Sequence, residues 1–63
     1  MSKIRFLGRS DFNFTYGNIY QLIKIEQYEY SFDTWISNDS GNIVFIPYSS
    51  INTFNENWEV VNE

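Results

Sequence analysis

The sequence predicts an all-β fold, a small barrel of five short strands with one helical turn. Three observations indicate it. Apolar and polar residues alternate over several short segments, Gly, Pro and Asn separate these segments, and alanine, the best helix former, is absent from the 63 residues. A chain of this length holds one hydrophobic core, so residues 1–63 are predicted to form a single domain.

The first half of the chain predicts two strands joined by a long loop. Residues 3–7 (KIRFL) alternate, with Ile4 and Phe6 on one face, and a glycine follows them. Residues 9–18 are polar and aromatic by turns and are predicted to form the loop. Residues 19–26 (IYQLIKIE) carry apolar side chains on both faces, which is typical of a long, bent strand shared by two sheets.

The second half predicts a hairpin followed by a last strand. Residues 32–37 (FDTWIS) form the third strand, and residues 43–46 return after a turn whose Asn, Asp and Gly tolerate positive φ. Pro47 is predicted to end the fourth strand because it cannot donate to a ladder. A short 3₁₀ turn is predicted over residues 48–51 and a fifth strand over residues 58–61. Closing the five strands into a barrel removes the open edges of a flat sheet.

The period of two assigns side chains to an inner and an outer face. The predicted core contains Ile4, Phe6, Tyr20, Leu22, Ile36, Phe45 and Val60. The same period sends Trp35 outward, together with Asp33 and Ser37. An outward Trp on a strand either packs under the long loop as a satellite of the core or forms a binding surface, since Trp is enriched at interaction hot spots.

Several short motifs follow one another in an order found in a known fold. They are the strand Ile4 to Gly8, Phe14, Gly17, Tyr20, Leu22, Ile36, Asp39-Ser40-Gly41, Ile46-Pro47 and Trp58-Glu59-Val60-Val61. The pattern resembles the Src-homology-3-like (SH3-like) barrel, and more closely a group of very short bacterial and phage proteins with that barrel. The resemblance implies an SH3-like fold and assigns no function to most members. Classical recognition of proline-rich peptides is not implied, because Ser50 stands where the groove tyrosine is expected.

Missing residue types exclude most chemistry. The chain has no Cys and no His, so it has no disulfide, no thiolate and no imidazole base, and a zinc site would have to consist of carboxylates alone. We predict no catalytic residue, no cofactor and no metal site, and therefore not an enzyme. No apolar run reaches the roughly 18 residues of a membrane span, and the N-terminus lacks the apolar region of a signal peptide, so a cytoplasmic location is expected.

Charge is distributed unevenly along the chain. All four basic residues lie in the first 24 positions, whereas residues 25–63 hold seven acids and no base, and the net charge is −4. A nucleic-acid backbone binds to a basic face, so the net negative charge argues against nucleic-acid binding. It suits a protein partner with a basic or apolar patch.

The predicted function is that of a non-enzymatic binding module acting stoichiometrically through a protein–protein surface. Its concrete form is a phage or prophage accessory protein that inhibits a host enzyme or defence component. The predicted surface contains Trp35, Tyr16, Tyr28, Tyr30, Tyr48 and Asp33. Two alternatives stay open. One is a nucleic-acid-binding small barrel whose aromatic residues stack on bases, and the other is a homo-oligomeric structural subunit.

Overall fold

The computed structural model describes residues 2–61 and consists of five antiparallel strands in one sheet with a short helix before the last strand. The strand order in the sheet is β4-β3-β2-β1-β5. This confirms the prediction of a small β fold with five strands. The elements are β1 Lys3–Phe6, β2 Ile19–Gln27, β3 Phe32–Ser37, β4 Ile43–Tyr48, α1 Ile51–Asn57 and β5 Trp58–Val61.

Strand β2 is long and changes partner along its length. Its first residues, 19–21, pair with β1, and residues 22–27 pair with β3. The register shifts between Leu22 and Lys24, which marks a bulge, and a bulge bends a strand and increases its twist. The bulge therefore bends β2 within one continuous sheet. Ile19 and Ile25, two of the apolar residues that suggested a strand covered on both faces, are exposed.

The sheet is open, so the predicted closure into a barrel is wrong. Strands β4 and β5 are its two edges, and no ladder joins them within residues 2–61. A side-chain hydrogen bond links them instead: the indole N–H of Trp58 donates to the hydroxyl of Tyr48 at 2.9 Å. The pKa of Tyr48 is raised because burial disfavours the phenolate.

The connection between β4 and β5 also differs from the prediction. In place of a 3₁₀ turn over residues 48–51, β4 continues through Pro47 to Tyr48, and α1 spans seven residues. The hydroxyl oxygen of Ser50 accepts a hydrogen bond from the backbone N–H of Thr53 at 3.3 Å, which is an N-cap. The helix buries Phe54 against the core, and this contact offsets its poor helix formers.

The core is built mainly from aromatic rings. Trp58 lies at its centre, with ring centroids 4.9 Å from Phe6, 5.0 Å from Phe14 and 6.4 Å from Phe54. Burial is confirmed for five of the residues predicted to be inside, Ile4, Phe6, Tyr20, Leu22 and Ile36. The structure adds Phe14, Phe32, Thr34, Phe54 and Trp58.

Two residues predicted to be in the core are not buried. Phe45 is 50% exposed and Val60 is 54% exposed. The inward residues of β4 are instead Val44, Ile46 and Tyr48, which pack against the core. Val60 pairs with the buried Ile4, so its face was predicted correctly, but β5 is an edge strand with a neighbouring strand on one side only.

Candidate protein-binding surface

Trp35 lies on the outer face of the sheet and is half-buried there by its neighbours. Its cross-strand partners are Lys24 on β2 and Phe45 on β4, and cross-strand partners share a face. The rings of Trp35 and Phe45 are 4.9 Å apart, and the Lys24 Nζ lies 4.8 Å from the Trp35 ring centroid. We call this surface the Trp35 face; it comprises Lys24, Glu26, Asp33, Trp35, Ser37, Ile43, Phe45 and Pro47.

The alternation of β3 holds Trp35 outward. Phe32, Thr34 and Ile36 are buried, so the residues between them must face the other side. Thr34 is tolerated inside because its hydroxyl donates to the backbone carbonyl of Ile46 at 2.9 Å. That bond also favours the register in which Phe45 faces outward beside Trp35.

Charged groups surround the aromatic pair. The Lys24 Nζ forms an ion pair with the Glu26 carboxylate at 3.0 Å, and the Tyr28 hydroxyl donates to the same carboxylate at 2.8 Å. The hydrogen bond from Lys24, followed by that from Tyr28, lowers the pKa of Glu26. The pKa of Tyr28 is raised in turn, because its proton is held by Glu26. Asp33 is the cross-strand partner of Glu26, so two carboxylates lie side by side next to Trp35.

The structure brings together only some of the predicted surface residues. Asp33 and Trp35 share the Trp35 face, Tyr28 is bonded to Glu26 at its border, and Tyr30 is strongly exposed in the same β2–β3 loop. Tyr16 lies in the loop between β1 and β2, where its backbone N–H donates to the Ser10 hydroxyl.

Tyr48 lies on the opposite side of the sheet from the Trp35 face. Its ring packs edge-on against Phe54 and its hydroxyl accepts from Trp58. Sequence reasoning also missed Phe45, which it assigned to the core. The signal that could have found Phe45 is its pairing with Trp35 across a hairpin whose turn is readable in the sequence.

The loop between β1 and β2 is anchored to the β3–β4 turn by Asp39. The carboxylate of Asp39 accepts hydrogen bonds from the hydroxyls of Tyr20, at 2.5 Å, and Thr15, at 2.9 Å. The Tyr20 hydroxyl oxygen also accepts the backbone N–H of Thr15 at 2.7 Å. These bonds satisfy the polar end of a buried ring, so we interpret this carboxylate as structural rather than as part of a catalytic site.

The described residues offer no arrangement for metal chemistry. Within residues 2–61, no group of three or more His, Cys, Asp or Glu side chains lies close enough to hold a metal ion. In the same part of the chain, no helix is long and apolar enough to cross a membrane.

Comparison of the chain with family models, with curated proteins and with solved structures gave no match. The resemblance to the SH3-like group therefore rests on the motifs quoted above and stays a prediction.

Proposed function

We propose that this chain is a non-enzymatic binding module that contacts a protein partner through the Trp35 face. The observation that carries the proposal is the outward aromatic pair, Trp35 and Phe45. The core is already filled by rings from β1, the long loop, β3, α1 and β5, so this pair is not needed to close it. A contiguous outward aromatic patch on a small protein is a feature of interaction surfaces.

The Trp35 ring is well prepared for binding. The contacts with Phe45 and Lys24 hold it on the sheet before a partner arrives, so little side-chain entropy remains to be lost. A rigid, partly buried Trp next to a second ring matches the composition and placement of interface hot spots.

The partner's chemistry follows from the surroundings of this pair. Exposed Phe45 and Ile43 favour an apolar patch on the partner. The neighbouring carboxylates of Glu26 and Asp33 favour basic side chains around that patch, and their field would speed association with a basic surface.

The proposal includes the finer identity expected from the sequence. By its element order and motifs, and with an open sheet in place of a closed barrel, the chain is proposed to belong with the SH3-like small bacterial and phage proteins. We propose that it acts in the cytoplasm as an accessory or inhibitor protein of a host enzyme or defence component. Its support is the order strand, long loop, long bent strand, hairpin, short helix and strand, together with the motifs quoted above.

The contacts of the basic residues disfavour the nucleic-acid alternative. Arg5 is paired with Glu59 at 2.9 Å, and Lys24 is paired with Glu26 at 3.0 Å. Two of the four basic residues therefore have a carboxylate beside them, which partly offsets their attraction for a phosphate.

The experiment is affinity capture from a bacterial lysate with the immobilised wild-type chain and with Trp35→Ala. Phe12→Ala is the matched control, because Phe12 is a fully exposed aromatic residue of the long loop. We expect a protein that the wild type and Phe12→Ala retain and Trp35→Ala loses. Equal retention by all three variants contradicts the proposal. Binding of labelled single-stranded DNA that weakens steeply with salt would instead support the nucleic-acid alternative.

A further inference from the structure

The outer edge of β4 is a weakly protected strand edge. Within residues 2–61, β4 pairs with β3 on one side and with no strand on the other. Edge strands of monomeric proteins are usually guarded by charged side chains or proline. The sequence of β4, IVFIPY, contains no charge, and its one guard is Pro47 near its end. At the other edge of the sheet, β5 carries Glu59.

The pairing of β4 with β3 determines which backbone groups point to the free edge. The N–H of Asn38 donates to the carbonyl of Asn42 at 2.8 Å, so these two residues form a hydrogen-bonded pair. Hydrogen-bonded and non-hydrogen-bonded pairs alternate along an antiparallel ladder. Ile43, Phe45 and Pro47 therefore lie in non-hydrogen-bonded pairs with their partners on β3. Their backbone N–H and C=O groups, where present, point away from β3 to the free edge. Pro47 fits this position because it has no N–H to donate to β3.

We infer that the edge of β4 binds the same edge of a second copy of this chain, antiparallel, about a two-fold axis at Val44. Ile43 of one copy then lies opposite Phe45 of the other, and Val44 lies opposite Val44. Each copy offers the free N–H groups of Ile43 and Phe45, and each N–H finds a carbonyl on the other copy. This inference goes beyond the proposed function and does not depend on it.

Neighbouring registers are worse. With Phe45 opposite Phe45, Pro47 would enter the ladder opposite Ile43, where its ring replaces a donor and leaves a carbonyl unpaired. With Ile43 opposite Ile43, the acceptor for Phe45 would be Gly41, which lies in the turn with φ +82° and is not extended. The register centred on Val44 avoids both faults.

Side chains support the same pairing. Ile43 is 59% exposed and Phe45 is 50% exposed, and the pairing covers them with a cross-strand β-branched–aromatic contact at each end. No charged residue of β4 meets its own copy, since the strand has none. The pairing extends the sheet in its own plane, so the outer face stays accessible and two Trp35 faces lie side by side. A partner could then be bound bivalently.

The register is tested by a single cysteine, since the natural chain has none. In Val44→Cys the two sulfurs face each other in a non-hydrogen-bonded pair with Cα atoms about 4.5 Å apart, within the range of a disulfide. Ile46→Cys is the matched control on the same face of the same strand. Its two cysteines would be four residues apart along the strands, about 14 Å. We expect mild oxidation to link Val44→Cys into a dimer and to leave Ile46→Cys monomeric. Cross-linking of both variants or of neither overturns the register.

Association itself is tested by light scattering over a concentration series reaching about 1 mM. The mass of the wild type should rise from 7.6 kDa towards twice that value. Ile43→Lys should remain monomeric. Ile51→Lys, the same substitution at an exposed isoleucine of α1, should associate like the wild type. A wild type that stays monomeric throughout overturns the inference. If the wild type is monomeric and captures a partner that Trp35→Ala does not capture, the inference fails and the proposed function stands.

Discussion

Two phenylalanines distinguish the inner from the outer side of the sheet. Phe54 on α1 is 3% exposed, and Phe45 on β4 is 50% exposed. Truncating a buried Phe to Ala costs about 3–5 kcal/mol. A chain of 63 residues is stable by about 3–9 kcal/mol, so Phe54→Ala should remove most of its free energy of unfolding.

Phe45→Ala should cost much less. Half of the roughly 1.5–3 kcal/mol for full burial is about 0.8–1.5 kcal/mol. Loss of the ring contact with Trp35 adds about 0.5 kcal/mol at such an exposed site. We therefore expect Phe45→Ala to destabilise by about 1–2 kcal/mol, some 2 kcal/mol less than Phe54→Ala.

Urea unfolding followed by circular dichroism measures this difference. With a slope of about 1 kcal/mol/M, the midpoints of the two variants should lie about 2 M apart. If Phe54→Ala is already unfolded in buffer while Phe45→Ala is folded, the result also shows that Phe54 contributes more to stability than Phe45. Equal midpoints, or a larger loss for Phe45→Ala, would refute the assignment of Phe45 to the outer face.

Three further changes test the contacts that hold the fold. Tyr48→Phe should lower the free energy of unfolding by about 1–3 kcal/mol, because it leaves the buried N–H of Trp58 without an acceptor. Folding raises the pKa of Tyr48, so the contribution of its hydroxyl to the free energy of unfolding is complete below about pH 10 and is lost as the pH rises through the folded pKa. Tyr48→Phe should therefore lose less stability than the wild type in an alkaline titration. Asp39→Ala should cost about 1–3 kcal/mol by removing the acceptor of the Tyr20 hydroxyl, and should speed amide exchange in the loop between β1 and β2; unchanged exchange there would show that the loop does not depend on this carboxylate. Gly41→Ala should cost about 1 kcal/mol in thermal unfolding, since the turn holds φ at +82°.

Much of the fold follows from local patterns in the sequence. Alternation in β1 and β3 and the turn at residues 38–42 predicted the strands and placed Ile4, Phe6 and Ile36 inside. The helix could not be predicted in this way, because INTFNEN is polar and poor in helix formers. It depends on the Ser50 cap and on a contact of Phe54 with distant strands, and neither is visible in the helix's own periodicity.

The surface was predictable to a similar extent. The outward position of Trp35 followed from the period of two in β3. Phe45 was missed because IVFI is apolar at every position, so it carries no period from which to choose a face. The choice is made by the pairing across the hairpin and by the inward Thr34. Tyr16 and Tyr48 were grouped with Trp35 as loop aromatic residues that a small barrel would bring together, and tertiary structure places Tyr48 against the core.

The central claim is that Trp35 serves binding rather than stability, and titration of the captured, purified partner with Trp35→Ala tests it most directly. We expect affinity to fall by about 2 kcal/mol or more, roughly 30-fold, while the variant stays folded and loses less free energy of unfolding than Phe54→Ala. A variant that binds as well as the wild type contradicts the claim. A variant that loses several kcal/mol of stability, as a buried Trp does, contradicts it equally.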